Sequence, residues 1–332
     1  MITQWLAARA RNALRRPLRI IGVSAAVCAV ASLLLLLIPR HAALDDQSAS
    51  PIALAGAALV LGLALGFAMT FGAEVRRPRV ADGAEAERVS GVPTLATIAS
   101  RPIDPVRARR AADRALSPLI DASAESYRGI YANVSDPQGA SPIAFPFVAV
   151  TGDEAAIVAT VATNLAVAAV NDSRSALLID ADPDAGLVAG IVSVPREPGV
   201  ADVLAGRSDW AAVTVPASAG RDRKLDVIPA GRRRAERRLS DAAGEAGDLA
   251  RGELRAELLR LGRRYELIVV AAPPGAPRTG SDSILPVSEA VVCARVAFTT
   301  LTRLAASVAV LQDSGLRVRG IVLWDADSPP RV

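Results

Sequence analysis

In 332 residues the chain has one histidine, His41, one lysine, Lys224, and two cysteines, Cys28 and Cys293. A lone histidine leaves almost no room for a His-based triad or a zinc site. The two cysteines fall in different kinds of segment, one in a long apolar run and one in a mixed region. This argues against a disulfide framework, and neither has metal-like or catalytic neighbours. Aromatic residues are only 3% against a hydrophobic share of 51%, so the apolar content is mostly Ala, Val and Leu. The net charge of +4 is carried almost wholly by arginine. Arginine-rich basic chains meet nucleic acid or anionic lipid. No aromatic residues interleave with the basic run Arg232–Arg238, which argues against single-strand binding, and a position tethered beside apolar segments argues against a nucleic-acid partner.

The arginines cluster beside two long apolar segments, and a membrane surface accounts for them. Residues 20–38 contain no charge and hold five leucines at 33–37; residues 51–72 are again uncharged. At ~1.5 Å per residue each is long enough for a bilayer core. The first run is too long for a signal-peptide core, lacks a small-residue cleavage site, and is followed at once by a second span. Arg9, Arg11, Arg15, Arg16 and Arg19 precede the first span, and Arg76, Arg77 and Arg79 follow the second. The loop 39–50 sets Arg40 against Asp45 and Asp46. The positive-inside rule then puts both termini in the cytoplasm. Residues 1–19, with Trp5, Leu6 and Leu14 among arginines, suit a short interfacial helix. Gly62 and Gly66 make a GxxxG step suited to close packing on the first span or on a neighbouring subunit; glycine is also common in spans without such a role.

Residues 73–141 change to Arg, Ala, Asp and Pro and read as a juxtamembrane connector, with a short strand at 92–98 and a helix over 104–119. From 142 to 326 the pattern is strongly α/β, and 327–332 is a tail. Strands are expected at 147–150, 176–179, 225–228, 267–270, 290–293 and 320–323. Helices are expected at 156–170, 200–204, 253–263 and 301–313. Continuous apolar strands separated by helices specify a mainly parallel sheet covered on both faces, an α/β domain joined to a two-helix transmembrane hairpin.

Several segments, in order over roughly residues 51–325, resemble the polysaccharide co-polymerase and bacterial tyrosine-kinase family, which joins a two-helix membrane module to a MinD/ParA-like P-loop domain. They are Pro51 before a Gly-rich span ending at Glu74, Val92-Pro93-Thr94-Leu95, and Glu125-Ser126-Tyr127-Arg128-Gly129-Ile130-Tyr131-Ala132-Asn133. They continue with Val150-Thr151, Asn164-Leu165-Ala166, Leu177-Leu178-Ile179-Asp180-Ala181-Asp182, Val227-Ile228-Pro229-Ala230-Gly231 and Tyr265-Glu266-Leu267-Ile268-Val269-Val270-Ala271-Ala272-Pro273-Pro274. The resemblance implies a P-loop-NTPase-like domain in exopolysaccharide or capsule assembly at the bacterial inner membrane. It implies vestigial nucleotide-binding positions at Thr160, Asp180 and Asp182, the two aspartates being more readily read as caps at the end of a parallel strand. It also implies subunit contacts through Glu125 and Arg128, a pair equally readable as a solvated helix face.

Departures from the family pattern decide the chemistry expected. A working G-x-x-x-x-G-K-[ST] loop needs glycines for close backbone approach, a lysine for the terminal phosphates and a hydroxyl for Mg²⁺. With Asn164-Leu165-Ala166 as anchor, Ala155 and Ile157 replace the glycines, Val158 the lysine and Ala159 the hydroxyl. Asp153 and Glu154 add negative charge, Ala271 stands where a second carboxylate is expected, and Asp184 replaces a basic residue. The family's periplasmic domain is reduced to 39–50, and the tail holds no tyrosine. The expected cofactor is none, with ATP and Mg²⁺ entering only under an autokinase reading. The leading expectation is a non-catalytic, pseudo-ATPase scaffold or regulator. Its expected partners are membrane lipid, polysaccharide-assembly proteins (a polymerase, a glycosyltransferase or a kinase paralogue) and further copies of itself. Two alternatives stand beside it, an active tyrosine autokinase with an aberrant site and a membrane-fixed MinD/ParA-like positioning protein. The run Arg232–Arg238 reads as solvated or as facing anionic lipid or an acidic partner.

Overall fold

A computed structural model describes residues 75–99, 124–135, 147–219, 223–232, 245–272 and 285–325, together with Val60, Ala64, residues 66–69, Phe71 and Gly72. The chain divides into two compact units, residues 82–296 with 303–332, and residues 1–81 with 297–302.

The larger unit is built on one eight-stranded sheet. Its strands are β1 (Thr94–Ile98), β2 (Phe147–Gly152), β3 (Ala176–Asp180), β4 (Val215–Ser218), β5 (Lys224–Ile228), β6 (Leu267–Ala271), β7 (Glu289–Arg295) and β8 (Arg317–Trp324). They lie in the order β1-β8-β7-β2-β6-β3-β5-β4. Every neighbouring pair is parallel except β4 with β5. The central strands β3 and β6 are buried at every position, as strands covered on both faces must be. Their side chains alternate between two cores. Val148, Val150, Leu178, Val269 and Val322 enter one, and Phe147, Leu177, Ile179, Ile268 and Val270 enter the other.

The first core is covered by α2 (Ala124–Ser135) and α3 (Ala155–Asn171), with residues 157–170 of α3 buried throughout. An Ala/Val helix with no charged residue has no face that must stay in water, so it becomes the central covering helix. Helix α2 packs through Tyr127, Ile130 and Val134, at i, i+3 and i+7, and leaves Glu125 and Arg128 exposed. The second core is closed by α6 (Glu245–Gly262) through Leu258 and Leu261, and by Trp210, whose indole donates to the Leu254 carbonyl at 2.9 Å. Helix α7 (Leu301–Asp313) precedes β8, and the short helices α4 (Val188–Ile191) and α5 (Val200–Leu204) follow β3.

The expected parallel α/β architecture is present, with each expected strand at its place within a few residues. Three elements from the stretch read as a connector, α1 (Gly83–Ser90), β1 and α2, belong to this unit. Strand β1 is the sheet's edge, paired with β8, and α2 covers the first core, so the compact unit starts at residue 82. Helix α1 had no apolar signal and is specified by its caps instead. Asp82 accepts the Glu85 N–H at 2.9 Å, and Gly91 takes the left-handed conformation at φ 73°. Strand β4 contains Pro216, which hid it from pattern reading and which an edge strand tolerates. The helix expected over 104–119 lies outside the described residues.

In the smaller unit, Val60, Ala64, residues 66–69, Phe71 and Gly72 are all helical, and the Phe67 and Phe71 rings stack at 6.0 Å. Residues 78–80 pair with 299–301: Val80 donates to the Thr299 carbonyl at 2.9 Å, and Leu301 donates to that of Pro78 at 2.9 Å. Among the described residues no helix is long and apolar enough to cross a membrane. The expected span 20–38, the loop 39–50 and most of 51–72, Gly62 included, lie outside the described residues.

Candidate functional site

A parallel sheet brings the C-terminal ends of its strands to one edge, where loops converge and open α/β sheets have their crevice. Here β2, β6 and β3 lie side by side, with Val150 and Asp180 both in register with Ala271. The turn from β2 to α3 consists of Asp153 and Glu154 alone, and α3 begins at Ala155. The N–H groups of Ile157 and Val158 both donate to the Glu154 carbonyl at 3.1 Å. Ile157, Val158 and Ala159 are therefore the first turns of a buried helix rather than a loop, and all three pack into the first core. Gly152 serves the sheet. It pairs with Cys293, and a Cβ on it would sit 2.5 Å from the Cys293 carbonyl oxygen.

The acidic turn is charge-compensated, a feature invisible in the local sequence. Arg295, at the end of β7, donates from Nη1 to both Glu154 carboxylate oxygens at 3.1 and 3.2 Å. Arg303, in the first turn of α7, places Nε 2.6 Å from Asp153 Oδ1. The negative charge expected to face phosphate is thus already paired within the chain. Lys224 opens β5, at the opposite end of the sheet from this turn, and cannot serve here.

Asp180 and Asp182 do meet at the crevice; Thr160 does not. Asp180 is nearly sealed from solvent, and its two oxygens accept the N–H groups of Asp182 at 3.2 Å and Val188 at 3.1 Å. Burial raises its pKa to about 7; the two backbone hydrogen bonds oppose that rise, the nearby Asp182 adds to it, and Arg196 pulls against it. Asp182 folds back to accept from Asp184 at 3.1 Å and Ala185 at 3.0 Å. Both carboxylates therefore organise the turn that leads into α4. The Thr160 hydroxyl, buried on α3, donates to the Ala156 carbonyl at 2.7 Å. Where the sequence puts Asp184 in place of a basic residue, the fold supplies a distant one. Arg196 donates to the carbonyls of Pro183 at 2.7 Å and Gly231 at 3.2 Å, tying two crevice loops together. The guanidinium lies against Gly186, whose φ of 55° and lack of a side chain permit the contact.

Among the described residues the crevice is lined by Val158, Ala159, Asp180, Asp182, Leu187 and Ala271, and encloses about 10 Å³. That is room for about one water, whereas small-molecule sites run to about 300–1,000 Å³. A magnesium–phosphate group would need a cation, a hydroxyl and free backbone N–H groups. The start of α3 offers backbone N–H groups, but Val158 and Ala159 supply neither the cation nor the hydroxyl, so the residues present do not fit it. The remaining predicted contact residues lie elsewhere. Glu125 and Arg128 are exposed on α2, Gly66 is buried in the smaller unit, and Arg232, the described residue of the basic run, pairs with Glu197 at 2.8 Å.

Comparison with known proteins agrees with this architecture. No family model matches the chain. The tyrosine-protein kinase wzc of Salmonella typhi is 26% identical over 165 residues, 49% of this chain and 21% of that protein. The chain thus matches about a fifth of the length of that relative. Among solved structures, the chimerical protein CapA2B2 superposes with TM-score 0.56 at 19% identity, covering 74% of this chain and 99% of that one. The kinase domain of Escherichia coli tyrosine kinase ETK gives 0.55 at 20%, covering 76% and 98%. The BceF tyrosine kinase domain gives 0.54 at 20%, covering 75% and 99%. The chain therefore carries a domain with the fold of these bacterial tyrosine-kinase domains.

Proposed function

We propose that this chain is a membrane-anchored, non-catalytic scaffold or regulator of exopolysaccharide or capsular polysaccharide biosynthesis and export. The observation that carries the non-catalytic part is the β2–α3 turn. Two residues join strand to helix, and Val158 and Ala159 lie buried in the core where phosphate chemistry needs a lysine and a hydroxyl. The pathway rests on likeness to the tyrosine-protein kinase wzc and to the fold of the kinase domains. Membrane anchoring at the bacterial inner membrane rests on the uncharged runs 20–38 and 51–72 with their flanking arginines. Exposed Val60 and Met69, at 68% and 62%, are consistent with an apolar surround. With no chemistry at the crevice, the α2 surface bearing Glu125 and Arg128 becomes the working part. Its partners on this reading are polysaccharide-assembly proteins or further copies of the chain, with Gly62 and Gly66 packing the spans.

The test is nucleotide binding by the purified full chain. At 100-fold excess over Kd a ligand adds about 2.7 kcal/mol, a shift easily seen in thermal melting. The expected result is no Mg·ATP-dependent shift and no phosphotyrosine. Tyr127 and Tyr265 are buried and Tyr131 is half-buried, which already disfavours phosphorylation. Micromolar ATP binding abolished by Asp180→Ala would restore the autokinase alternative.

A further inference from the structure

Beside the β2–α3 turn lies a second cleft of about 100 Å³, lined by Thr151, Gly152, Asp153, Val292, Arg303, Ser307 and Leu311. Thr151 from β2, and Ser307 and Arg303 from α7, give this lining two hydroxyl-bearing residues and a guanidinium, chemistry suited to a small oxyanion. The lining also includes Asp153, whose carboxylate is bonded to that guanidinium at 2.6 Å. Glu154 engages Arg295 with both oxygens at the adjoining strand end. The arginines come from β7 and α7, the acids from the first residues ahead of α3, and 141 residues separate Glu154 from Arg295.

The stability these pairs contribute is small. Arg303 is 63% exposed in its side chain, and Arg295 and Glu154 are about a third exposed; partly solvated pairs of this kind add little to folding. Their effect on local potential is larger. Anions are favoured at the start of a helix, and here two covalently attached anions already occupy that region with two arginines against them.

We infer that Asp153 and Glu154 are internal counter-anions, an autoinhibitory contact that closes the β2–β7–α7 cleft to phosphate. The inference rests on the nucleotide-silent reading above and adds how the silence is enforced: besides lacking the lysine, the edge is electrostatically filled from within. Neutralising both acids with Asp153→Asn and Glu154→Gln raises the local charge by two without removing an arginine, and converts the cleft into a weak oxyanion site.

The probe is inorganic phosphate, followed by pyrophosphate, in thermal melting and calorimetric titration of the full chain. Expected is no phosphate-dependent shift for the natural sequence. The double variant should show a saturable shift at a half-saturating concentration lower by about tenfold or more. Adding Arg303→Gln to the double variant should remove the gain. If the double variant misfolds by circular dichroism, Asp153→Asn alone carries the same test, because Asp153 lines the cleft. A folded variant that gains no phosphate response overturns the inference and leaves the proposed function standing. A natural-sequence protein that itself binds phosphate or pyrophosphate at the same concentrations overturns both.

Discussion

The carboxylate of Asp180, at the end of β3, accepts the Val188 N–H at 3.1 Å across eight residues of chain. That bond, with the one from Asp182, makes this buried acid the anchor of the loop entering α4.

Asp180 should therefore leave a pH signature in stability. Its folded pKa is raised from 3.8 to about 7, so the folded state binds more protons than the unfolded state between those values. Stability then falls as pH rises from about 4 to about 7 and levels off above that range. The accumulated loss is on the order of a few kcal/mol. Asp180→Asn should flatten the profile at the expense of one backbone acceptor, about 1 kcal/mol. Urea midpoints measured from pH 4 to 8 check this; an unchanged slope in the variant would show that other groups set the dependence.

Restoring a lysine to the helix should not restore nucleotide binding. Val158 is 2% exposed and packs with the first core, so Val158→Lys buries an ammonium at a penalty of several kcal/mol. A lower melting temperature with no Mg·ATP shift is expected. Gain of ATP binding by this single substitution would mean that the turn rearranges into a working cradle.

Gly152→Ala tests whether that glycine belongs to the sheet. A methyl group there meets the Cys293 carbonyl oxygen, which is backbone and cannot rotate away. Strands β2 and β7 must move apart, at a typical overpacking loss of about 1–3 kcal/mol. Chemical denaturation measures it, and a neutral substitution would show that the pair has slack.

Topology is testable by accessibility. If the hairpin holds both termini in the cytoplasm, tags at either end should resist protease in intact spheroplasts, and a reporter active only in the periplasm should work when fused after Asp46. Cleavage of a C-terminal tag from outside would defeat the hairpin. Replacing Gly62 and Gly66 with leucine should weaken detergent-stable association by about 1–2 kcal/mol if that face packs helices; unchanged oligomer size would count against it.

Short-range pattern was enough to specify β2, β3, β5, β6, β7 and β8 and the helix α3 that covers them, and it puts valine at 158 and alanine at 159 and 271. Apolar runs and residue identities are local properties, and Val158 is a valine whatever surrounds it. Tertiary structure alone decided which of these elements and side chains meet. Sheet order brought β1 to β8 across more than two hundred residues and made part of the apparent connector an integral edge of the domain. It also delivered Arg295 to Glu154, Arg303 to Asp153 and Arg196 to the carbonyls of Pro183 and Gly231. A long arginine reaches whichever loop the fold sets beside it, so the pairing depends on strand order and not on sequence spacing. The acidic turn that reads as repulsive in one dimension is consequently a neutralised one in three.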